Sequence, residues 1–81
     1  MKSLYDWAVI ELTEADRSVR EANALVELKR LYIEQLQQGG EDTISAKIAF
    51  ESAIISLACC VEHRHRLHTV LNANTKHSSA A

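Results

Sequence analysis

The sequence predicts an all-α fold, an antiparallel two-helix hairpin of the coiled-coil type. The 81 residues contain no proline, and the only two glycines are adjacent, Gly39 and Gly40. Apolar residues recur at spacings of three and four instead of alternating, which is the periodicity of helices and not of strands. A single break in the middle of such a pattern divides the chain into two long helices.

The first helix is predicted over residues 3–38. Ser3 can cap its N-terminus, with Asp6 three residues later in the position of a capping box. One apolar stripe, interrupted by Lys29, follows the spacing of a helix that packs along a single partner helix. The stripe consists of Leu4, Ala8, Leu12, Ala15, Val19, Ala22, Val26 and Ile33. Its alanines indicate a close approach of the second helix in the N-terminal half.

The two glycines predict the turn. Glycine adopts the left-handed conformation that follows a helix end at little steric cost. Because residues 39–42 form so short a connection, the two helices are expected to lie antiparallel.

The second helix is predicted over residues 43–72, with Asp42 or Thr43 as its N-cap. The hairpin thus occupies residues 1–72 as one domain. Residues 73–81 are small and polar, and we expect them to form a flexible C-terminal tail.

Helix two carries more apolar surface than one neighbouring helix can cover. On a helical wheel, one apolar face can pack on helix one, and a second row lies roughly 140° away from Phe50. The first face consists of Ala46, Phe50, Ala53, Ile54, Leu57, Cys60 and Val61, and the second row of Ile44, Ile48, Ile55 and Cys59.

Helix one shows a similar excess in its C-terminal half, where Leu25, Leu28, Leu31, Tyr32 and Leu36 extend beyond the main stripe. Contiguous exposed apolar surface usually marks an interaction site. We therefore predict a protein-binding surface around the turn end, with the N-terminal half of helix one as scaffold. The predicted partner-binding residues are Leu25, Leu28, Tyr32, Leu36, Ile44, Ile48, Phe50, Ile54, Ile55 and Leu57.

The region from about residue 25 to 62 resembles the small E-type needle-subunit co-chaperones of bacterial type III secretion systems. The similarity consists of a leucine-rich helix end (LVELKRLYIEQLQQ), the Gly39-Gly40 turn, a polar linker and the segment AFESAII at residues 49–55. The chain departs from the usual form in its longer N-terminal helix and its His/Arg-rich end with a polar tail.

The resemblance implies a helical hairpin that binds a tetratricopeptide-like G-type chaperone and, with it, keeps the needle subunit monomeric in the bacterial cytoplasm before export. It implicates Phe50, Ala53, Ile54 and Leu57, with Leu25, Leu28 and Leu36 opposite, as hairpin or partner contacts. A homodimer whose four helices share one core is the alternative explanation of the same apolar surface.

Other classes of function have less support in the sequence. The net charge of −2 provides no overall basic field for nucleic acid. The basic segment at residues 63–66 is explained by the preference for cations near a helix C-terminus. A small nucleic-acid-binding regulator is a weaker alternative.

Neither a metal site nor a catalytic site is predicted, and no cofactor is expected. Cys59, Cys60, His63, His65 and His68 follow one another on one helix, which offers only two well-placed zinc ligands on each face. The chain has no Gly-rich phosphate loop or nucleophile elbow, and a two-helix hairpin encloses no pocket of ligand size. We expect the protein not to be an enzyme.

A cytoplasmic location without membrane insertion is expected. Asp6 and Glu11 interrupt any secretory signal at the N-terminus. The apolar run at residues 53–61 is too short to span a bilayer. Adjacent cysteines disfavour a mutual disulfide and suit a reducing compartment.

Overall fold

The protein is a hairpin of two long α-helices, which confirms the predicted all-α fold. The computed structural model describes the backbone of residues 3–80 and the side chains of residues 3–73. Helix α1 spans Leu4–Gln38 and helix α2 spans Ile44–Ala80. The molecule is a rod of 64 × 20 × 14 Å, so each helix has one neighbour and a large outer surface.

Helix α1 begins as the sequence predicts. The Asp6 backbone N–H donates to Ser3 Oγ at 3.1 Å, and the Trp7 N–H donates to the Ser3 carbonyl at 3.0 Å. The Ser3 side chain therefore satisfies one N–H group that a helix N-terminus would otherwise leave without a partner, and the Ser3 carbonyl accepts the first helical bond.

The turn uses its two glycines differently. Gly39 keeps a right-handed conformation with φ −83°, whereas Gly40 has φ +70°. The Gly40 N–H donates to the Gln37 carbonyl at 3.1 Å, and the Glu41 N–H donates to the Leu36 carbonyl at 2.9 Å. The left-handed residue is thus Gly40, and the chain reversal satisfies carbonyls at the end of α1.

Both predicted capping residues contribute at the start of α2. Asp42 Oδ1 accepts from the Ile44 N–H at 3.0 Å, and the Thr43 carbonyl accepts the first helical bond from the Lys47 N–H at 2.8 Å. The helix was predicted to end near residue 72, but it continues through Ala80.

The extension of α2 has a simple cause: no proline or glycine follows Gly40 to stop the helix. Residues 73–80 therefore continue the helix where a flexible tail was predicted. Ala81 lies outside the described residues.

The seam between the helices is narrow. The predicted stripe of α1 lies along it, with Ala8, Ala15 and Val19 buried and the others half-buried except Leu4, which is exposed. Ala53 and Leu67 are the buried residues that α2 contributes. Ala8 is completely buried, but no large side chain among the described residues is.

The face of α2 predicted to pack on α1 is only partly covered. Ala46, Phe50, Leu57 and Cys60 are half-buried along the seam, but Ile54 and Val61 at the edge of that face are exposed. For Ile54 and Val61 the predicted packing is wrong, because one helix covers only a narrow stripe of its neighbour.

Candidate protein-binding surface

Most of the large apolar side chains lie outside the seam. Fourteen described ones are exposed, each retaining at least 40% of its accessible surface. Such an excess of apolar surface is unusual for a soluble monomer and marks sites of interaction. These residues are Leu4, Tyr5, Trp7, Val9, Ile10, Leu25, Leu28, Leu31, Tyr32, Ile44, Ile48, Ile54, Ile55 and Val61.

The most exposed part of α2 is the row formed by Ile44, Ile48, Ile55 and Cys59, which we term the far row. Its three isoleucines keep 66%, 64% and 65% of their surface, and Cys59 is exposed as well. Spacings of four and seven place these side chains on the same side of a helix. The high exposure shows that this side faces away from α1.

A second exposed group lies on α1 near the turn. Leu25, Leu28 and Tyr32 are spaced three and four apart, so they share one side of the helix. All three are exposed, Leu28 the most at 63%. The turn half of the hairpin therefore presents apolar rows on both helices.

The structure separates the ten predicted binding residues into two groups. Leu36, Phe50 and Leu57 are half-buried along the seam, so they mainly hold the hairpin together. The seven others are exposed: Leu25, Leu28, Tyr32, Ile44, Ile48, Ile54 and Ile55.

An open groove of about 520 Å³ lies between the helices near the turn. Ile33, Phe50 and Ile54 are its apolar lining residues. Phe50 thus contributes both to the seam and to a surface that an apolar side chain of another protein can enter.

Charged residues form the rim of this groove, among them Arg30 and Glu34 from α1. Arg30 Nε donates to Glu27 Oε2 at 3.1 Å, and Arg30 Nη1 lies 3.3 Å from Glu34 Oε2. The hydrogen bond from Arg30 lowers the pKa of Glu27 and, in return, raises the pKa of Arg30. Charged side chains thus border the apolar floor of the groove.

The open end of the hairpin carries exposed apolar side chains that were not predicted from the sequence. Leu4, Tyr5, Trp7, Val9 and Ile10 are all exposed. The N-terminal half of α1 was predicted to be scaffold with only one good apolar stripe, and the exposed side chains show that its first two turns carry apolar surface beyond that stripe. Large residues off the stripe, above all the lone tryptophan, were the available signal.

The basic end of α2 is partly neutralised. Arg64 Nη1 lies 3.7 Å from Asp16 Oδ1 of α1, and Arg66 Nη2 lies 3.5 Å from Glu62 Oε1. Within the described part of the chain, no three histidine, cysteine or acidic side chains are grouped to hold a metal ion. Nucleic-acid binding stays a weaker alternative to protein binding.

In length and composition, α2 also resembles a membrane-spanning helix. Over Ile44–Ala73 it contains an 18-residue stretch that is apolar on average, with at most two charged side chains and little burial. The prediction from residues 53–61 counted only an uninterrupted run and underestimated this length. One such helix is weak evidence and does not decide where the protein resides.

Comparisons with protein-family models, with curated proteins and with solved structures find no match to this chain. The resemblance to E-type co-chaperones therefore rests on the residues of the turn half alone.

Proposed function

We propose that this protein is a non-catalytic hairpin that binds another helical protein through its exposed apolar rows. The observation that carries this proposal is the location of the large side chains, of which fourteen are exposed whereas the buried residues are mostly alanines. Because exposed apolar surface is costly in water, a partner that covers it gains binding free energy from each row.

The accessible area supports a partner of ordinary size. A compact monomer of 9.1 kDa exposes roughly 4,900 Å² by the relation between area and mass. This chain exposes 6161 Å². The surplus of about 1,300 Å² exceeds the roughly 800 Å² that each partner buries in a standard interface.

The shape of the exposed surface favours a helical partner. The far row and the group of Leu25, Leu28 and Tyr32 are straight lines of side chains at helical spacing. An amphipathic helix binds such surfaces by placing its own apolar side chains between them. A rod with a radius of gyration of 18.4 Å, against about 12 Å for a compact domain of this length, offers such lines along its whole side.

In its specific form, the proposal is a cytoplasmic co-chaperone of bacterial type III secretion. The partner would be a tetratricopeptide-like chaperone, and the pair would hold a needle subunit monomeric. A needle subunit polymerises through amphipathic helices, so a protein that offers competing apolar helical surface opposes polymerisation. This role requires neither a cofactor nor a catalytic site.

Coexpression with a tetratricopeptide-like chaperone and a needle subunit from the same genome tests this form. We expect one soluble complex in size-exclusion chromatography. Ile48→Glu or Ile55→Glu should weaken it by about tenfold or more, since each isoleucine contributes at least about 1.5 kcal/mol when covered. Asn23→Glu adds the same charge at an exposed polar position of α1 and should leave the complex intact.

The outcomes distinguish the parts of the proposal. If the complex forms but tolerates both isoleucine variants, the far row is not the binding surface. If no complex forms with either protein, the co-chaperone assignment is wrong. Circular dichroism of each variant establishes that its helices are retained.

A further inference from the structure

The far row of α2 has a symmetric spacing. Its members follow one another at intervals of four, seven and four residues. Ile48 and Ile55 are therefore equidistant from a midpoint just after Glu51, and so are Ile44 and Cys59. Because the row has the same spacing in both directions, two antiparallel copies related by a two-fold axis can place every member of the row opposite a member of the other copy.

We infer that a second copy of this chain covers the far row of the free protein, with the two α2 helices antiparallel and the dyad at this midpoint. Ile48 of each copy then lies beside Ile55 of the other, and Ile44 lies beside Cys59. The inference goes beyond the proposed function, since it concerns the chain without any other protein.

The area of the chain fits this occupant. Its surplus of about 1,300 Å² is more than each copy buries in a dimer of standard size, roughly 800 Å². The isoleucines of the far row are the most exposed large apolar side chains of the described chain. A second copy covers these isoleucines with its own, so Ile48 and Ile55 each face an apolar side chain.

Charged side chains follow one flank of the row. Lys47 and Glu51, both exposed, lie one turn apart on that flank. Parallel copies in register would place this flank on opposite sides of the interface, so neither lysine would meet a glutamate of the other copy. Antiparallel copies place the two flanks on the same side, where the two Glu51 side chains lie about 1.5 Å apart along the axis and Lys47 of each copy lies about 7.5 Å along the axis from Glu51 of the other. The two long side chains can bridge that distance, so each glutamate has a lysine of the other copy within reach.

The same row cannot hold a second copy and another helical protein at once. The dimer is thus the form of the free chain, and a partner that binds the far row must displace one copy. This step rests on the proposed function, whereas the dimer itself does not.

Sedimentation of the wild-type chain over micromolar concentrations is the first test, and we expect a dimer. Ile48→Glu should raise its dissociation constant by about tenfold or more. Leu28→Glu places the same charge at an equally exposed aliphatic position of α1 and should leave the dimer unchanged. A wild-type chain that is monomeric throughout overturns the inference and leaves the proposed function as it stands.

Cross-linking tests the position of the dyad. Ser45 and Ser52 are both exposed and lie seven residues apart on one side of α2. In a background of Cys59→Ala and Cys60→Ala, the two thiols of Ser52→Cys lie about 1.5 Å apart along the axis of an antiparallel dimer. The thiols of Ser45→Cys lie about 20 Å apart by the same helical rise.

We expect mild oxidation to cross-link Ser52→Cys and not Ser45→Cys. Equal cross-linking of both variants indicates parallel copies and overturns the proposed arrangement, as does cross-linking of neither. Addition of phosphatidylcholine vesicles distinguishes a lipid occupant. A chain that binds vesicles and is monomeric without them assigns the far row to lipid and overturns the dimer.

Discussion

The seam between the two helices is lined by smaller side chains than the outer surface of the same helices. Ala8, Ala15 and Ala53 are among the five buried residues, whereas the exposed set consists of leucine, isoleucine, valine, tyrosine and tryptophan. Small residues let two helices approach closely but remove little apolar area from water. The hairpin thus uses a modest interface to hold itself together and leaves its larger side chains for contacts with other molecules.

One side of α1 differs from both regions, because it is arranged for water. Arg17 pairs with Glu14, and Arg30 lies between Glu27 and Glu34 at spacings of three and four. Exposed ion pairs of this kind contribute little to stability, because water and salt screen them. Their arrangement shows where α1 is solvated, and by contrast the bare isoleucines of α2 stand out as surface for another molecule.

Truncation of Leu67 should give the largest effect and tests the contrast between seam and surface. Leu67→Ala removes the largest buried side chain of α2 and should cost about 2–4 kcal/mol, a large part of the stability of so small a protein. Leu28→Ala removes the same atoms from an exposed site and should cost less than about 1 kcal/mol. Urea unfolding followed by circular dichroism measures both.

Both unfolding curves must be recorded at one protein concentration, because self-association would stabilise the folded state. If Leu67→Ala and Leu28→Ala lowered the free energy of unfolding by similar amounts, Leu28 would be covered in solution. The distinction between seam and outer surface would then be wrong.

The turn allows an internal comparison of intermediate size. Gly40→Ala forces a side chain into the left-handed region and should destabilise by about 1–2 kcal/mol, although nothing lies within 4 Å of the added carbon. At Gly39, where φ is −83° and the nearest atom is 3.6 Å away, alanine should be neutral or stabilise by about 0.4–1 kcal/mol. Thermal unfolding of the two variants measures the difference. If Gly39→Ala were the more destabilising variant, Gly39 would be the residue that the turn requires.

The sequence was sufficient for the features that depend on local chemistry. Ser3 as a cap, the glycine turn and the seam of α1 follow from residue types and spacing, and the structure has them as expected. The sequence was insufficient for predicting how much of the surface of one helix the other helix buries. The wheel places Ile54 on the face toward α1, but how wide a stripe α1 covers is a property of the pair and not of either helix.

The ends of the hairpin were also harder to predict. Residues 73–80 are polar enough for a tail, yet nothing in them breaks a helix, and composition alone does not decide between the two. At the other end, the prediction considered only the apolar stripe of α1. It therefore did not count the apolar surface of Trp7 and its neighbours, which lies outside that stripe. Periodicity identifies the packed side of a helix more reliably than it measures the remaining surface.

Glu27 gives the smallest effect and tests the assignment of the water-facing side of α1. The hydrogen bond from Arg30 lowers the pKa of Glu27 below its ordinary value of 4.5 in the folded chain. The pair therefore contributes stability above that pH, and the contribution is lost as the pH falls through the folded pKa. Glu27→Gln should remove this part of the acid dependence and change stability near neutral pH much less than Leu67→Ala or Gly40→Ala. Unfolding curves of both chains between pH 3 and pH 7 measure the difference. If Glu27→Gln were as damaging as Leu67→Ala, this side of α1 would have to be in contact with another molecule and not with water.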